Sequence, residues 1–347
     1  MIRPLFMPLL ALTLAGAAPT ERPAFAPLAV HVGGRTAAAA DSSLAFGWPG
    51  VYVEGRFHGT AVRVRFAAPT DHLRLSIDGT ERAVFRAPGT VDTMLAGLVD
   101  GVHIVRLDKL TESQTGGSRF LGFAAAGAPL APPTRARQIE FIGDSFSVGY
   151  GNLSPNRECS ERQVHDLTDT TRAFGPLTAR ALDADYRIHA FSGFGMVRNY
   201  NGRAAGDSLP DRYSLALPGD PAPAAADADW HPDAIVINLG TNDFSTPVQA
   251  SEPWADTAAL KTAYRDRYAA FVTELAARQP QARFILMGSD LFFPEVAAVA
   301  ATLQAGLPGR VTTLHFTGLD FGGCHAHPSL ADHRRIADQL VRVIESR

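Results

Sequence analysis

The sequence predicts a two-domain α/β protein: an antiparallel β-sandwich, then a three-layer α/β/α domain built on a parallel sheet. Three observations carry this. Residues 28–126 contain only short strand patterns, GAPLAPPTRAR (127–137) is a Pro-rich break, and residues 138–347 alternate apolar strand segments with helical ones. Short strands separated by regular turns favour a sandwich. Strands alternating with helices imply a sheet covered on both faces.

In the first region LAVHV, VYVEGRF, AVRVRF, HLRLSID, HIVRL and RFLGFAA alternate apolar and polar residues, the period of a half-buried strand. FHGT, IDGT and LVDG read as turns between them. Residues 127–137 are expected to be an irregular linker. In the second region the strands are IEFIG (139–143), ADYRIHAF (184–191), DAIVINLG (233–240), ARFILMG (282–288) and RVTTLHF (310–316). DTTRAFGPLTARAL (169–182) fits a helix that Gly175-Pro176 should kink or break. Residues 256–280 form an amphipathic pattern stopped by Pro280, and residues 294–307 a helix with proline at its start. Residues 329–346 close the chain as a helix with Ser329 as N-cap.

Composition excludes several classes. With 347 residues, 46% of them hydrophobic, the chain can bury two cores and is too apolar for disorder. A net charge of −3 without a basic stripe argues against a nucleic-acid partner. No internal stretch is long and apolar enough to span a bilayer. The start is different: MIRPLFMPLLALTLAGAAPTERP has Arg3, an apolar core and small residues at Ala15-Gly16-Ala17. That is the layout of a signal peptide, so residues 1–18 are expected to be removed and the protein secreted or periplasmic. The two cysteines, Cys159 and Cys324, would then meet an oxidising compartment where a disulfide persists. Closing so long a loop is worth roughly 3–5 kcal/mol in the chain-entropy treatment.

The candidate chemistry lies at the strand ends. FIGDSFSVGYGN (141–152) puts Ser145 just past the first strand of the second domain. Gly193 follows the second strand, Asn242 the third, and His327 lies between the last strand and the last helix. In a parallel sheet the ligand site lies outside the carboxyl ends of the strands, so these four residues share one rim. A helix cap would account for Ser145 alone, but not for all four. Acyl transfer needs a hydroxyl, a base for its proton and donors where the oxyanion forms. In that reading Ser145 attacks, His327 is the base, and the oxyanion hole consists of the Ser145 and Gly193 N–H groups and the Asn242 amide. Asp144 is expected to fix the turn. Arg198, Asn199 and Tyr200 either line the cleft or hold its loop. Trp230 and Trp254 are either packing residues or sugar platforms. Cys324, His325, His327 and His333 lack a structural-zinc spacing, so no metal is expected.

The blocks carry a resemblance. Phe141-Ile142-Gly143-Asp144-Ser145 through Gly149-Tyr150-Gly151-Asn152, Ser192-Gly193 through Arg198-Asn199-Tyr200, Leu239-Gly240-Thr241-Asn242-Asp243-Phe244, and Gly323-Cys324 with His327-Pro328-Ser329 resemble the SGNH hydrolase superfamily and, within it, carbohydrate esterase family 2. Gly33-Gly34-Arg35, Phe46-Gly47-Trp48-Pro49-Gly50, Phe57-His58-Gly59-Thr60, Ile77-Asp78-Gly79 and Leu110-Thr111-Glu112-Ser113 resemble that family's N-terminal domain. The resemblance spans nearly all of the mature chain. It implies a flavodoxin-like SGNH domain at 138–347, preceded at 28–126 by a jelly-roll-like sandwich. It implies an acetyl esterase acting on acetylated polysaccharide or oligosaccharide of the xylan or mannan type, with no cofactor.

One block departs from the wider pattern. The superfamily places Asp three residues before the base, where this chain has Cys324; two residues before it stands His325. The resemblance allows a backbone carbonyl to orient the imidazole instead, and Asp320 is a substitute only if its loop folds back. Two other readings stay open: an esterase for another acyl substrate (a peptidoglycan or exopolysaccharide O-acetyl group, or a longer chain), and a carbohydrate-binding pseudoenzyme.

Overall fold

The computed structural model describes residues 25–224 and 228–346. The expected signal segment, residues 1–18, lies outside them. The first region is one continuous antiparallel sheet of nine strands. Its spine is a pair of long strands, Tyr52–Ala68 and Gly89–Lys109. The turn expected at FHGT is instead a bulge, where the register shifts between Gly59 and Ala61. A single extra residue reverses which positions face inward. Val53 and Phe57 are buried before it, and Val62, Val64 and Phe66 after it. The alternation therefore changes phase although the chain does not turn. LVDG behaves similarly: Gly59 pairs with Gly101 and Ala61 with Ala96, so residues 97–100 are looped out of a strand that continues. Only Asp78-Gly79 is a tight turn, joining His72–Ile77 to Thr80–Arg86 with both φ angles positive. Strand Ser118–Leu130 takes up the start of the Pro-rich stretch, leaving residues 131–136 as the irregular connection.

The second region is built on five parallel strands: β1 (Arg137–Gly143), β2 (Ala184–Ala190), β3 (Ala234–Asn238), β4 (Arg283–Gly288) and β5 (Val311–His315). Their order is β2-β1-β3-β4-β5. The chain leaves β1 to one side and returns past it to β3, so the crevice opens at the carboxyl ends of β1 and β3. Four helices cover the sheet: α1 (Phe174–Ala181), α2 (Thr257–Arg278), α3 (Phe293–Leu303) and α4 (Leu330–Glu345). Phe141, Val236 and Ile285 pack with Phe174 of α1 and Ile336 and Leu340 of α4. Their neighbours Ile142, Ile235 and Leu286 join Tyr264, Tyr268 and Phe271 of α2 on the other face. That second core is continuous with the interior of the front sheet, including Trp48 and Phe66.

The helix expected over 169–182 is two pieces. A 3₁₀ turn, Thr170–Arg172, precedes α1, which starts at Phe174. Pro176 therefore sits in the first turn of α1, where its missing N–H costs nothing, and it does not kink a longer helix. The last helix begins on Ser329 as expected, through a reciprocal capping box with Asp332.

The two regions are also fastened by charge. Arg74 of the front sheet donates to Asp169 at 2.6 Å and to Thr171 Oγ1 at 2.7 Å. Arg135 bridges Glu54 and Asp185 at 2.8 and 2.9 Å, and the Tyr52 hydroxyl donates to Asp185 at 2.6 Å. The segment after Gly89–Lys109 is pinned from beneath by a buried ion pair. Lys109 Nζ lies 3.1 Å from Asp71, which also accepts from Ser113 and Ser118 at 2.6 Å.

Candidate active site

Ser145 opens a short helix, Ser145–Val148, directly after β1. Asp144 caps it, accepting the Phe146 N–H at 3.0 Å. Asp144 is wholly buried, and burial raises its carboxyl to about 7. The first N–H groups of a helix have no partner within it, and for Ser145 that group lies at the rim. The expectation that Asp144 fixes the turn holds, and the cap places Ser145 at the first position of the helix.

Ser145 Oγ is 2.8 Å from His327 Nε2. The other ring nitrogen, Nδ1, is 3.0 Å from the carbonyl oxygen of Cys324. A carbonyl only accepts, so Nδ1 carries the hydrogen and Nε2 is left as the acceptor for the serine hydroxyl. Among the described residues no carboxylate bonds to the ring. Asp320, the substitute considered from the sequence, accepts the Gly322 N–H at 2.7 Å within its own loop. The imidazole is enclosed by aromatic rings. Tyr150 stacks on it at 4.3 Å between centroids and Phe146 meets it edge-on at 5.5 Å. This desolvation lowers the imidazole to about 4, so the ring is a neutral base at neutral pH.

The carbonyl that replaces the carboxylate is itself anchored. Cys324 is joined to Cys159 by a disulfide. Its N–H donates to Gly151 O at 3.3 Å, and the next N–H, of His325, donates to Arg157 O at 2.7 Å. A side chain at Gly151 would collide with the Cβ and Sγ of Cys324, so the glycine allows the two segments to touch. The His325 ring is held by Tyr150 Oη at 3.1 Å and Cys159 O at 2.7 Å. His333 is buried under α1, where its Nδ1 accepts the Phe174 N–H at 3.2 Å. The Cys/His cluster of the sequence is thus dispersed into other bonds. Among the described residues no group of three His, Cys, Asp or Glu side chains is placed to hold a metal.

Ser145, Gly193, Asn242 and His327 line one open cleft of about 560 Å³, together with Gln114, Tyr150 and Tyr200. Gly193 adopts φ +85°, a conformation that favours glycine, and faces open space. Asn242 Nδ2 donates to Phe194 O at 2.8 Å and lies 3.4 Å from Asp144 Oδ2. An amide nitrogen carries two hydrogens, and both have acceptors here; the long one to Asp144 is the bond that an occupant of the cleft would replace. Such a set can hold a carbonyl carbon against Ser145 while donors meet its oxygen.

The structure separates residues that the sequence could not. Arg198 holds the loop, and Asn199 holds it while also lining the cleft. The buried guanidinium of Arg198 binds Glu252 at 2.9 Å and the carbonyls of Asp243, Thr246 and Pro247. Asn199 Oδ1 accepts the Gly195 N–H at 3.1 Å. Buried Asp243 accepts the N–H groups of Met196, Val197 and Arg198. Tyr200, by contrast, is 46% exposed and faces the cleft. Trp230 is a packing residue, buried with its Nε1 on Glu140 at 3.1 Å. Trp254 lines a neighbouring pocket that shares Asn199, Arg203 and Ala204 with the cleft. The ring stack of Tyr150 on the base was missed, because it joins positions 177 residues apart and no local pattern encodes it.

Comparison with known proteins agrees with this geometry. Residues 32–133 match the N-terminal domain of carbohydrate esterase 2, and residues 141–340 match the GDSL-like lipase/acylhydrolase family. An acetylxylan esterase / glucomannan deacetylase of Cellvibrio japonicus is 43% identical over 92% of both chains. The chain belongs to carbohydrate esterase family 2. Similar solved structures include a carbohydrate esterase whose active site displays divergent catalytic and non-catalytic binding functions, with 42% identity and a TM-score of 0.86 over 92% of this chain and 98% of that one. A family two carbohydrate esterase from Clostridium thermocellum in complex with cellohexaose has 29% identity and a TM-score of 0.79, covering 91% and 98%. The protein is accordingly a carboxylic ester hydrolase with the two-domain fold of that family.

Two outcomes follow from the base and its anchor. The neutral imidazole is the working form, so kcat/KM should be level through mildly acidic pH. It should then fall about tenfold per unit below about pH 4, as the ring takes up a proton; a titration midpoint near 6.5 in the pH–rate profile would refute the enclosed base. Cutting the disulfide with Cys159→Ser frees the loop that carries the Cys324 carbonyl. It should lower kcat on the order of 10²-fold, as read by steady-state kinetics, with circular dichroism confirming an intact fold.

Proposed function

We propose that the enzyme removes O-acetyl groups from a polysaccharide of the xylan or mannan type through an acetyl-serine intermediate. The observation that carries this reading is the 2.8 Å contact from Ser145 Oγ to His327 Nε2, with Nδ1 occupied by a backbone carbonyl. Ser145 Oγ gives its proton to Nε2 and attacks the acetyl carbon. The developing oxyanion is met by the N–H groups of Ser145 and Gly193 and the amide of Asn242. His327 returns the proton to the departing sugar oxygen. A water, deprotonated by the same nitrogen, then attacks the acetyl carbon; the bond to Oγ breaks, the proton passes to Oγ, and acetate leaves.

The substrate class is supported by the relative named acetylxylan esterase / glucomannan deacetylase and by the relative solved with cellohexaose. The open cleft supports it too, because a side chain on a polymer must enter from a continuous surface. Tyr200 and the neighbouring Trp254 offer aromatic faces on which sugar rings can stack.

Ser145→Ala should reduce acetate release from an aryl acetate and from acetylated xylan by more than about 10³-fold. The wild type should cleave acetate esters faster than butyrate or octanoate esters. Undiminished turnover in Ser145→Ala, or a preference for octanoate, would refute the proposal.

Export is part of the same reading. Arg3, the apolar run and Ala15-Gly16-Ala17 support a removable leader, and no helix among the described residues is long and apolar enough to cross a membrane. N-terminal sequencing of protein recovered from outside the cytoplasm should begin close to residue 19; a start at Met1 would refute it.

A further inference from the structure

The loop after β2 that carries Gly193 is held at two ends by different domains. Its far end is held within the hydrolase domain, where Asp243 accepts three consecutive N–H groups from residues 196–198 and the Tyr200 N–H donates to Gly193 O at 2.8 Å. Its near end is held from the front domain. Glu112 Oε1 accepts the Ser192 N–H at 2.6 Å, and Gln114 Nε2 donates to Ser192 O at 3.1 Å.

The second bond has a geometric consequence. Ser192 C=O and Gly193 N–H belong to one peptide unit, which is planar with its oxygen and hydrogen on opposite sides. Fixing the oxygen therefore fixes the direction of the Gly193 N–H. Without that restraint the unit is free to rotate, because Gly193 has open space around its Cα and glycine tolerates either sign of φ. Rotation by half a turn would aim Ser192 O into the cleft and withdraw the donor. Glu112 removes the same freedom from the preceding peptide. Both side chains stand on a segment that is itself immobile: Leu110 O accepts from Thr170 N and Oγ1 at 2.9 and 3.0 Å, and Ser113 is tied to the buried Asp71–Lys109 pair.

We infer that Glu112 and Gln114 are positioning residues for the oxyanion hole, supplied by the front domain, which hold the Ser192–Gly193 peptide with its N–H toward the reacting carbonyl. This rests on the catalytic reading of Ser145 and Gly193 given above. It assigns the front domain a part in the chemistry besides any binding of sugar. An interaction made with the oxyanion acts on the transition state more than on bound substrate. Its loss should therefore appear in kcat and leave KM largely alone.

The test compares kcat and KM for acetate release by the full-length wild type, Glu112→Ala, Glu112→Gln, Gln114→Ala and Arg135→Met, with Ser145→Ala as control. Losing an oxyanion donor outright costs on the order of 10²–10³-fold, so a misdirected one should lower kcat by about 10–10²-fold in Glu112→Ala and Gln114→Ala. KM should stay within about threefold in both. Glu112→Gln should keep kcat within about threefold of wild type, since its Oε1 accepts the same N–H. Arg135→Met cuts the domain contact elsewhere, at Glu54 and Asp185, and should keep kcat. Unchanged kcat in Glu112→Ala, an effect confined to KM, an equal loss in Arg135→Met, or a Glu112→Gln as slow as Glu112→Ala would each overturn the inference. Where Glu112→Ala does not fold, Gln114→Ala decides alone, and unchanged kcat overturns it. Full turnover by Ser145→Ala would instead overturn the catalytic reading, and the inference with it.

Discussion

The bond from His327 Nδ1 to the Cys324 carbonyl is the constraint on which the site depends. It selects the tautomer that leaves Nε2 free for Ser145. A carboxylate in that place would carry a full charge and stabilise an imidazolium; a carbonyl carries only a partial one. The ring is therefore held in orientation but little assisted electrostatically, and its enclosure by Tyr150 and Phe146 lowers its basicity further. Orientation by a backbone atom is only as good as the backbone is still. The surroundings of Cys324 meet that demand with the disulfide, the contact with Gly151, the bonds of His325 to Arg157 and Cys159, and left-handed conformations at His325 and Ala326.

The same demand extends across the domain boundary. The front sheet shares a continuous apolar core with one face of the hydrolase sheet, so the two regions are not beads on a linker. Its Arg74 meets Asp169, whose carbonyl and N–H are in turn held by the Asn152 amide beside Gly151. Its Glu112 and Gln114 hold the peptide ahead of Gly193. Front-domain bonds thus reach the segments behind both His327 and Gly193. The short connection at 131–136 makes this possible, because it lets the last front strand lead almost directly into β1.

Much of the fold was legible because local patterns specified it. The five strands of the parallel sheet are apolar runs, and their ends needed only a change from apolar to Gly, Ser or Asn. α4 was marked by its cap and α2 by its amphipathic period. The misreadings have physical causes. FHGT and LVDG carry turn residues, yet they mark a bulge and a looped-out segment, since Gly and Asp serve any place where the ladder is interrupted. Gly175-Pro176 suggested a kink or a break; the stretch does break, but at Ala173 ahead of the pair, since a proline at the third helical position is at home in the first turn.

By itself the sequence determined the order of elements and the candidates for the reacting groups: Ser145, Gly193 and Asn242 just past strand ends, and His327 between the last strand and the last helix. Only the tertiary structure decided what orients His327, that Asn199 and Tyr200 but not Arg198 line the cleft, and that the front domain grips the Gly193 loop. Strand ends are set by short-range periodicity, which a one-dimensional pattern can express. A backbone carbonyl has no letter in the sequence; the 159–324 disulfide that steadies it was legible from the two cysteines, but the contacts of 150 with 327 beside it and of 112 with 192 at the Gly193 loop were not. Those pairs exist only after the chain has closed on itself.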